Sequence, residues 1–272
     1  MIIPLSGKSG YVRWFQNQLT HIIPIYSWDF TATKQLTQYR TSASFNFPVG
    51  FDGVKRETII IKGADFFPSF LNVAFEQNVI EFRLGFSGKS IHCFAALDFF
   101  QLDWNYGVVN GPVFMWTASF TGVVEDKEFA NDVAFLSDDE PYCFPTTCDL
   151  LIVRNGIEVQ HVAQASIKVS QQRPYFVTSI SNNHPKAELG PLNTDAALIV
   201  EGDFDNWLTF LNNPLKHLYT FSIKSQYPAQ PDLYSIANMK VNNISNLISN
   251  VQTGALVSAA ISLTGISLLV DN

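Results

Sequence analysis

The side chains with chemistry to offer stand far apart in this chain. Asp98 and Asp103 in "LDFFQLDW" flank Trp104, and glycoside hydrolysis uses such a pair of carboxylates as acid and base. A spacing of five along a strand predicts opposite faces for them, which breaks the pair. Cys143 and Cys148 in "CFPTTC" could begin a zinc site, yet such a site needs four good ligands and the nearest histidine is His161. The run "SDDE" carries Asp138, Asp139 and Glu140 without the alternating ligands of a calcium loop, and reads as a solvated acidic stretch. His21, His92, His161, His184 and His217 are isolated from one another. Nucleophile-elbow, zinc-protease, phosphate-loop and dinucleotide-binding motifs are absent. The expectation is a protein with no catalytic residue, no cofactor and no metal, and not an enzyme.

The composition points elsewhere. Of 272 residues, 47% are hydrophobic, 15% are charged and 23 are phenylalanine, whereas an ordinary soluble chain carries about 25% charge. So much apolar surface fits a subunit covered by its neighbours, because large exposed apolar patches mark docking sites. The competing reading is a monomer with a large aromatic core. A net charge of -7 with 17 scattered Lys and Arg argues against a tight grip on nucleic acid. Cys93, Cys143 and Cys148 make an odd count that suggests reduced thiols. The first residues lack the continuous apolar run of a signal peptide, so a cleaved leader is not expected. The apolar stretch from Ala255 to Val270 is dotted with Ser, Thr and Gly and is short of the roughly 20 residues a spanning helix takes; no membrane segment is expected.

Period-two patterning supplies the elements. In "VFMWTASFTG", Phe114, Trp116, Ala118 and Phe120 alternate with Met115, Thr117, Ser119 and Thr121. In "LVSAAISLTG", Val257, Ala259, Ile261 and Leu263 alternate with Ser258, Ala260, Ser262 and Thr264. Each reads as a strand with one buried face, closed by Gly122 or Gly265. Upstream, "ETIIIKGADF" aligns with "AALIVEGDFD", Gly63 on Gly202, and each leads into a short amphipathic helix in "FFPSFLNVAF" or "FDNWLTFL". "IYSWDFTATKQ" corresponds to "HVAQASIKVSQ", with Phe30 near Ile167. The strands "VIEFRLGF" and "HLYTFSIK" match, as do "IHCFAALDFFQLDW" and "DLYSIANMKVNNIS". Offsets of 137, 139 and 143 residues drift as short insertions would make them drift. The chain therefore reads as a tandem duplication: a first unit over 1–124, a linker over 125–149 and a second unit over 150–272. The expected fold is mainly β, each unit a β-sandwich or barrel with one short flanking helix and a long hairpin arm. "SASFNFPVGFDGVKR" places Phe45, Phe47 and Phe51 on the first arm, with a turn at Asp52 and Gly53.

This order of elements, closing in "SFTG" or "SLTG", resembles the tail-tube fold of tailed bacteriophages and the related tubes and hubs of contractile injection machines. On that resemblance Trp28 to Gln35, Thr58 to Gly63 and Phe114 to Gly122 look like tube-forming strands, matched by Ala163 to Gln171, Ala197 to Gly202 and Val257 to Gly265. The resemblance covers the chain outside the first twenty residues and the linker. It implies a virion tail protein assembled in the host cytoplasm, whose sheets join edge to edge in six-fold rings, so that two fused copies make a ring of three chains. It implies stacked rings of this chain, with tape-measure, tail-tip or sheath proteins as partners and DNA passing without specific binding. Thr117, Ser119, Thr121, Ser258, Ser262 and Thr264 are then the residues expected on the channel face, and Phe45, Phe47 and Phe51 the expected subunit-interface arm. A trimeric hub or baseplate adaptor is the near alternative. A tandem β-sandwich carbohydrate-binding module, using Trp104, Trp116 or Trp207 as sugar platforms, is the alternative from another class.

Overall fold

The computed structural model describes residues 10–16, 19–25, 27–39, 49–63, 79–86, 89–106, 113–131, 148–160, 162–171, 175–176, 186–187, 192–202, 214–225, 234–245 and 257–265. In chain order its strands are β1 (Gly10–Gln16), β2 (Leu19–Pro24), β3 (Ser27–Tyr39), β4 (Val49–Gly63), β5 (Ile80–Phe86), β6 (Lys89–Asn105), β7 (Val113–Asn131) and β8 (Cys148–Arg154). There follow β9 (Ile157–Glu158), β10 (Val162–Gln171), β11 (Tyr175–Phe176), β12 (Lys186–Ala187), β13 (Leu192–Gly202), β14 (Leu218–Ser225), β15 (Tyr234–Ser245) and β16 (Val257–Gly265). The protein is mainly β, and its one described helical turn is a 3-10 turn at Pro214–Lys216. The two expected amphipathic helices fall outside the described residues, and none of those described forms a helix long and apolar enough to cross a membrane. The stretch 257–265, apolar by composition, is strand β16.

Alternation decides the faces. On β7, Trp116, Ala118 and Phe120 are buried, while of the residues alternating with them Thr117 and Thr121 are half-buried and Ser119 is buried. On β13, Thr194, Ala196 and Leu198 are buried, with Asn193, Asp195 and Ala197 exposed. Fourteen strands form one antiparallel sheet that does not close. Its central run is β3-β4-β7-β6-β10-β13-β16-β15, and β5-β1-β2 and β14-β8-β9 branch from β6 and β15.

The branch folds back as a second layer. β6 is irregular between Ser90 and Cys93 and bulged between Leu97 and Phe99, where a strand bends and twists more strongly. The consequence is a tilted contact between Phe82 of β5 and Phe120 of β7, ring centres 5.0 Å apart. Val12, Trp14, Phe82 and Leu84 belong to one contiguous buried cluster with Ile59, Ile61, Phe120, Ile152, Tyr219 and Phe221.

Register exposes a correspondence between the two halves. The ladder Phe30–Ile59–Phe120–Leu97 runs across β3, β4, β7 and β6. Its counterpart Ile167–Ala196–Leu263–Val241 runs across β10, β13, β16 and β15. Each of β6 and β15 carries its bulge directly after this ladder, at Asp98 and at Asn242. The same ladders put Glu57 opposite Gly122 and Thr194 opposite Gly265. By register Gly63 therefore matches Val200 and not Gly202, a slip of two residues from the sequence alignment. A two-residue slip keeps every side chain on its own face, so pattern matching is blind to it.

Several boundaries differ from expectation. Asp52 lies inside β4 opposite Leu36, next to a register shift, and the β3–β4 ladder continues to Tyr39 opposite Val49. The irregularity of Asp52 and Gly53 is thus a bulge within a long hairpin and not its turn. β7 runs to Asn131, beyond the expected start of the linker at 125, held there by pairing with Lys89 of β6. The hairpins β1–β2 and β8–β9 were not read from the sequence. β8 turns into β9 through Asn155 and Gly156, both at positive φ (49° and 85°), the backbone a two-residue hairpin turn needs.

Candidate functional site

The face of the central run opposite the buried cluster is polar. Thr58 and Lys62 on β4, Thr117 and Thr121 on β7, and Gln101 and Asp103 on β6 lie on it. Ser166 and Lys168 on β10, Asp195 on β13 and Ser262 and Thr264 on β16 continue it. Side-chain hydrogen bonds run both between neighbouring strands and along β6. Thr121 donates its hydroxyl hydrogen to Asp98. The Gln101 amide donates to both oxygens of Asp103 at 2.9 and 3.1 Å. Thr264 donates to Asp195 at 3.3 Å. Lys168 Nζ sits 4.2 Å from the ring centre of Phe99 on the adjacent strand.

Of the residues expected on this face, Thr117 and Thr121 are half-buried, Ser119 is buried, and Ser262 and Thr264 are exposed. Ser258 stands in register opposite Glu201. Phe51 is opposite Thr37 in the β3–β4 hairpin, and Phe45 and Phe47 lie outside the described residues.

The two halves meet where β10 pairs with β6, from Gln164 opposite Asn105 to Ser170 opposite Phe99. Sequence reading missed this seam, although its strands alternate plainly; nothing in either strand names its partner. Ala165, Ile167 and Val169 face Trp104, Leu102 and Phe100 across it, and all six are buried.

The structure overturns the argument made against the aspartate pair while leaving them unsuited to it. The bulge at Asp98 adds one residue between them, so Asp98 and Asp103 share the polar face. About four strand steps at ~3.3 Å still hold them roughly 13 Å apart, more than the 5–9.5 Å between glycosidase carboxylates. Trp104 and Trp116 are buried and offer no sugar platform, and Trp207 lies outside the described residues.

Cys93 is fully buried, and that burial, with the charge of Glu57 behind it, pushes its thiol up from 9.0 to about 12. Burial likewise pushes the Tyr219 hydroxyl from 10.0 up to about 12, against the opposing pull of Arg154. His92 contacts Glu81 at 2.7 Å on the surface. Asn155 Nδ2 donates to His217 Nδ1 at 2.7 Å, and its Oδ1 accepts the Leu218 amide at 2.9 Å, which fastens the β8–β9 turn to β14. Among the described residues no group of three His, Cys, Asp or Glu could hold a metal ion. Cys143, His161, His184 and the acidic run 138–140 lie outside them.

No protein-family model matches the chain, and no curated protein matches it.

Proposed function

We propose that this protein is a structural subunit of a phage tail, a tandem tail-tube-like chain that forms a ring around a channel and acts without catalysis. The single observation that carries the reading is the central run itself. Strands β3-β4-β7-β6 and β10-β13-β16-β15 repeat one order and one register, joined in an open sheet with a covered face and a polar one. An open sheet of this length exposes unpaired backbone at its ends, which natural proteins pair or cover. Closing such sheets into a ring pairs every end and turns one face toward a lumen. The polar face is the one assigned to the lumen: its Ser, Thr and Gln, with Lys62, Lys168 and Lys240 countered by Asp98, Asp103 and Asp195, carry no net basic charge that would hold DNA. The count of three chains per ring comes from the resemblance to six-fold tail tubes, two units being fused in each chain.

Negative-stain microscopy of the purified protein tests this. Rings or stacked cylinders with three-fold symmetry are expected, and a monomer at all concentrations overturns the reading. Copy number in the particle separates a tube, present in many rings, from a hub, present in one or two.

A further inference from the structure

Each half of the chain has a long strand whose outer edge divides into two parts. On β6, residues 89–95 pair with β5 and residues 99–105 pair with β10. On β15, the corresponding first part, 234–240, pairs with β14. Its second part, 241–245, pairs with β16 on one side, and among the described residues no strand pairs with its other side. At the opposite end of the run β3 pairs only with β4 among the described residues. The same ladders that match the halves make β3 the counterpart of β10 and β15 the counterpart of β6.

Exposure follows this difference. Ile167 of β10, beside the seam, is 0% exposed, whereas Phe30 at the equivalent place on β3 is 36% exposed. Thr31 and Ala32 next to it are exposed, as are Asn243 and Ser245 on β15. The same strand position is thus fully buried on β10 and more than a third exposed on β3.

We propose that residues 241–245 of β15 pair antiparallel with β3 of a second copy of this chain, in the register of the internal seam. Lys168 opposite Gln101 becomes Thr31 opposite Ser245, and Val169 opposite Phe100 becomes Ala32 opposite Ile244. The occupant is a second copy because one molecule carries both counterparts of a joint it already makes internally. This rests on the ring reading above and adds its register and its strength. The internal seam buries Ile167, Val169, Phe100, Leu102 and Trp104 and adds the Lys168–Phe99 contact. The outer joint has Phe30, Ala32 and Ile244 in the places of Ile167, Val169 and Phe100. It forms between separate chains and so carries the entropy cost of association, which the internal seam does not, so chains remain separate when dilute and join when concentrated or nucleated.

Paired cysteines test it in a Cys143→Ser, Cys148→Ser background. Ala32→Cys with Ile244→Cys is expected to give disulfide-linked dimers and trimers on oxidation. Ala32→Cys with Asn243→Cys, one residue out of register, is expected to give at least about tenfold less. Equal yields, or monomer alone, overturn the proposed register. Hydrogen exchange on the unsubstituted chain is the second measurement. Amides in 27–33 and 241–245 should slow by about tenfold or more as concentration rises, while those in 164–170 stay protected throughout. Unchanged exchange in assembled protein overturns the proposal even if three-fold rings are seen. Linked, exchange-protected chains in open filaments uphold the pairing and overturn the closed ring.

Discussion

Gly122 and Gly265 occupy one register position, yet different neighbours require them. A Cβ on Gly122 would fall on the carbonyl oxygen of Phe94 and within 2.5 Å of the Ala95 Cα, atoms that cannot move without shifting the β6 backbone. A Cβ on Gly265 would meet Met239 Cγ at 3.1 Å, the flexible part of an adaptable side chain. Gly122→Ala is therefore expected to cost about 3 kcal/mol and Gly265→Ala under about 1 kcal/mol, read from urea midpoints of the two variants. The repeated letters marked both positions, but only packing separates an obligatory glycine from a tolerated one. Cys93 and Tyr219 are the second case at this scale. Their folded values lie above the unfolded ones, so the stability they contribute is fully present below about pH 9 and is lost as pH rises toward about 12. Urea unfolding up to pH 11 should show stability falling by roughly 1 kcal/mol per pH unit, from about pH 9 for Cys93 and from about pH 10 for Tyr219. Cys93→Ala should remove its share of that fall.

Among the elements, the bulges at Asp98 and Asn242 fix which face each half of a strand shows. Deleting Asp98 would turn Phe100, Leu102 and Trp104, all buried, toward the polar face. That deletion is expected to leave the chain unfolded by circular dichroism and aggregated. Asp98→Ala keeps the extra residue and loses the hydrogen bond from Thr121, at about 1 kcal/mol in a thermal melt. The contrast assigns the bulge to backbone count and not to side-chain chemistry. Strand existence was legible wherever apolar and polar residues alternate, as in β7, β10, β13 and β16. The bulges were not, because one inserted residue looks like any other letter until a partner strand reveals it. That is why Asp98 and Asp103 read as opposed when they share a face.

At the scale of the whole molecule, the same substitution at equivalent places should have opposite outcomes. Ile167→Lys puts an unpaired charge inside the internal seam and is expected to cost about 4 kcal/mol or more, seen as loss of the cooperative melt. Phe30→Lys, at the open edge, should shift the melt of the monomer by less than about 1 kcal/mol. Sedimentation velocity at high concentration should then show monomer, whereas the proposed ring predicts a trimer for the unsubstituted chain. By itself the sequence determined the β class, the alternating faces and the resemblance between the halves, since a buried face imposes period two on any strand whatever its partner. Tertiary structure alone decided that Val200 and not Gly202 matches Gly63, that β10 joins β6, and that β3 and β15 end the run among the described residues. Backbone hydrogen bonds carry strand pairing and are the same for every residue type, so the choice of partner is written in the assembled fold and not in the letters.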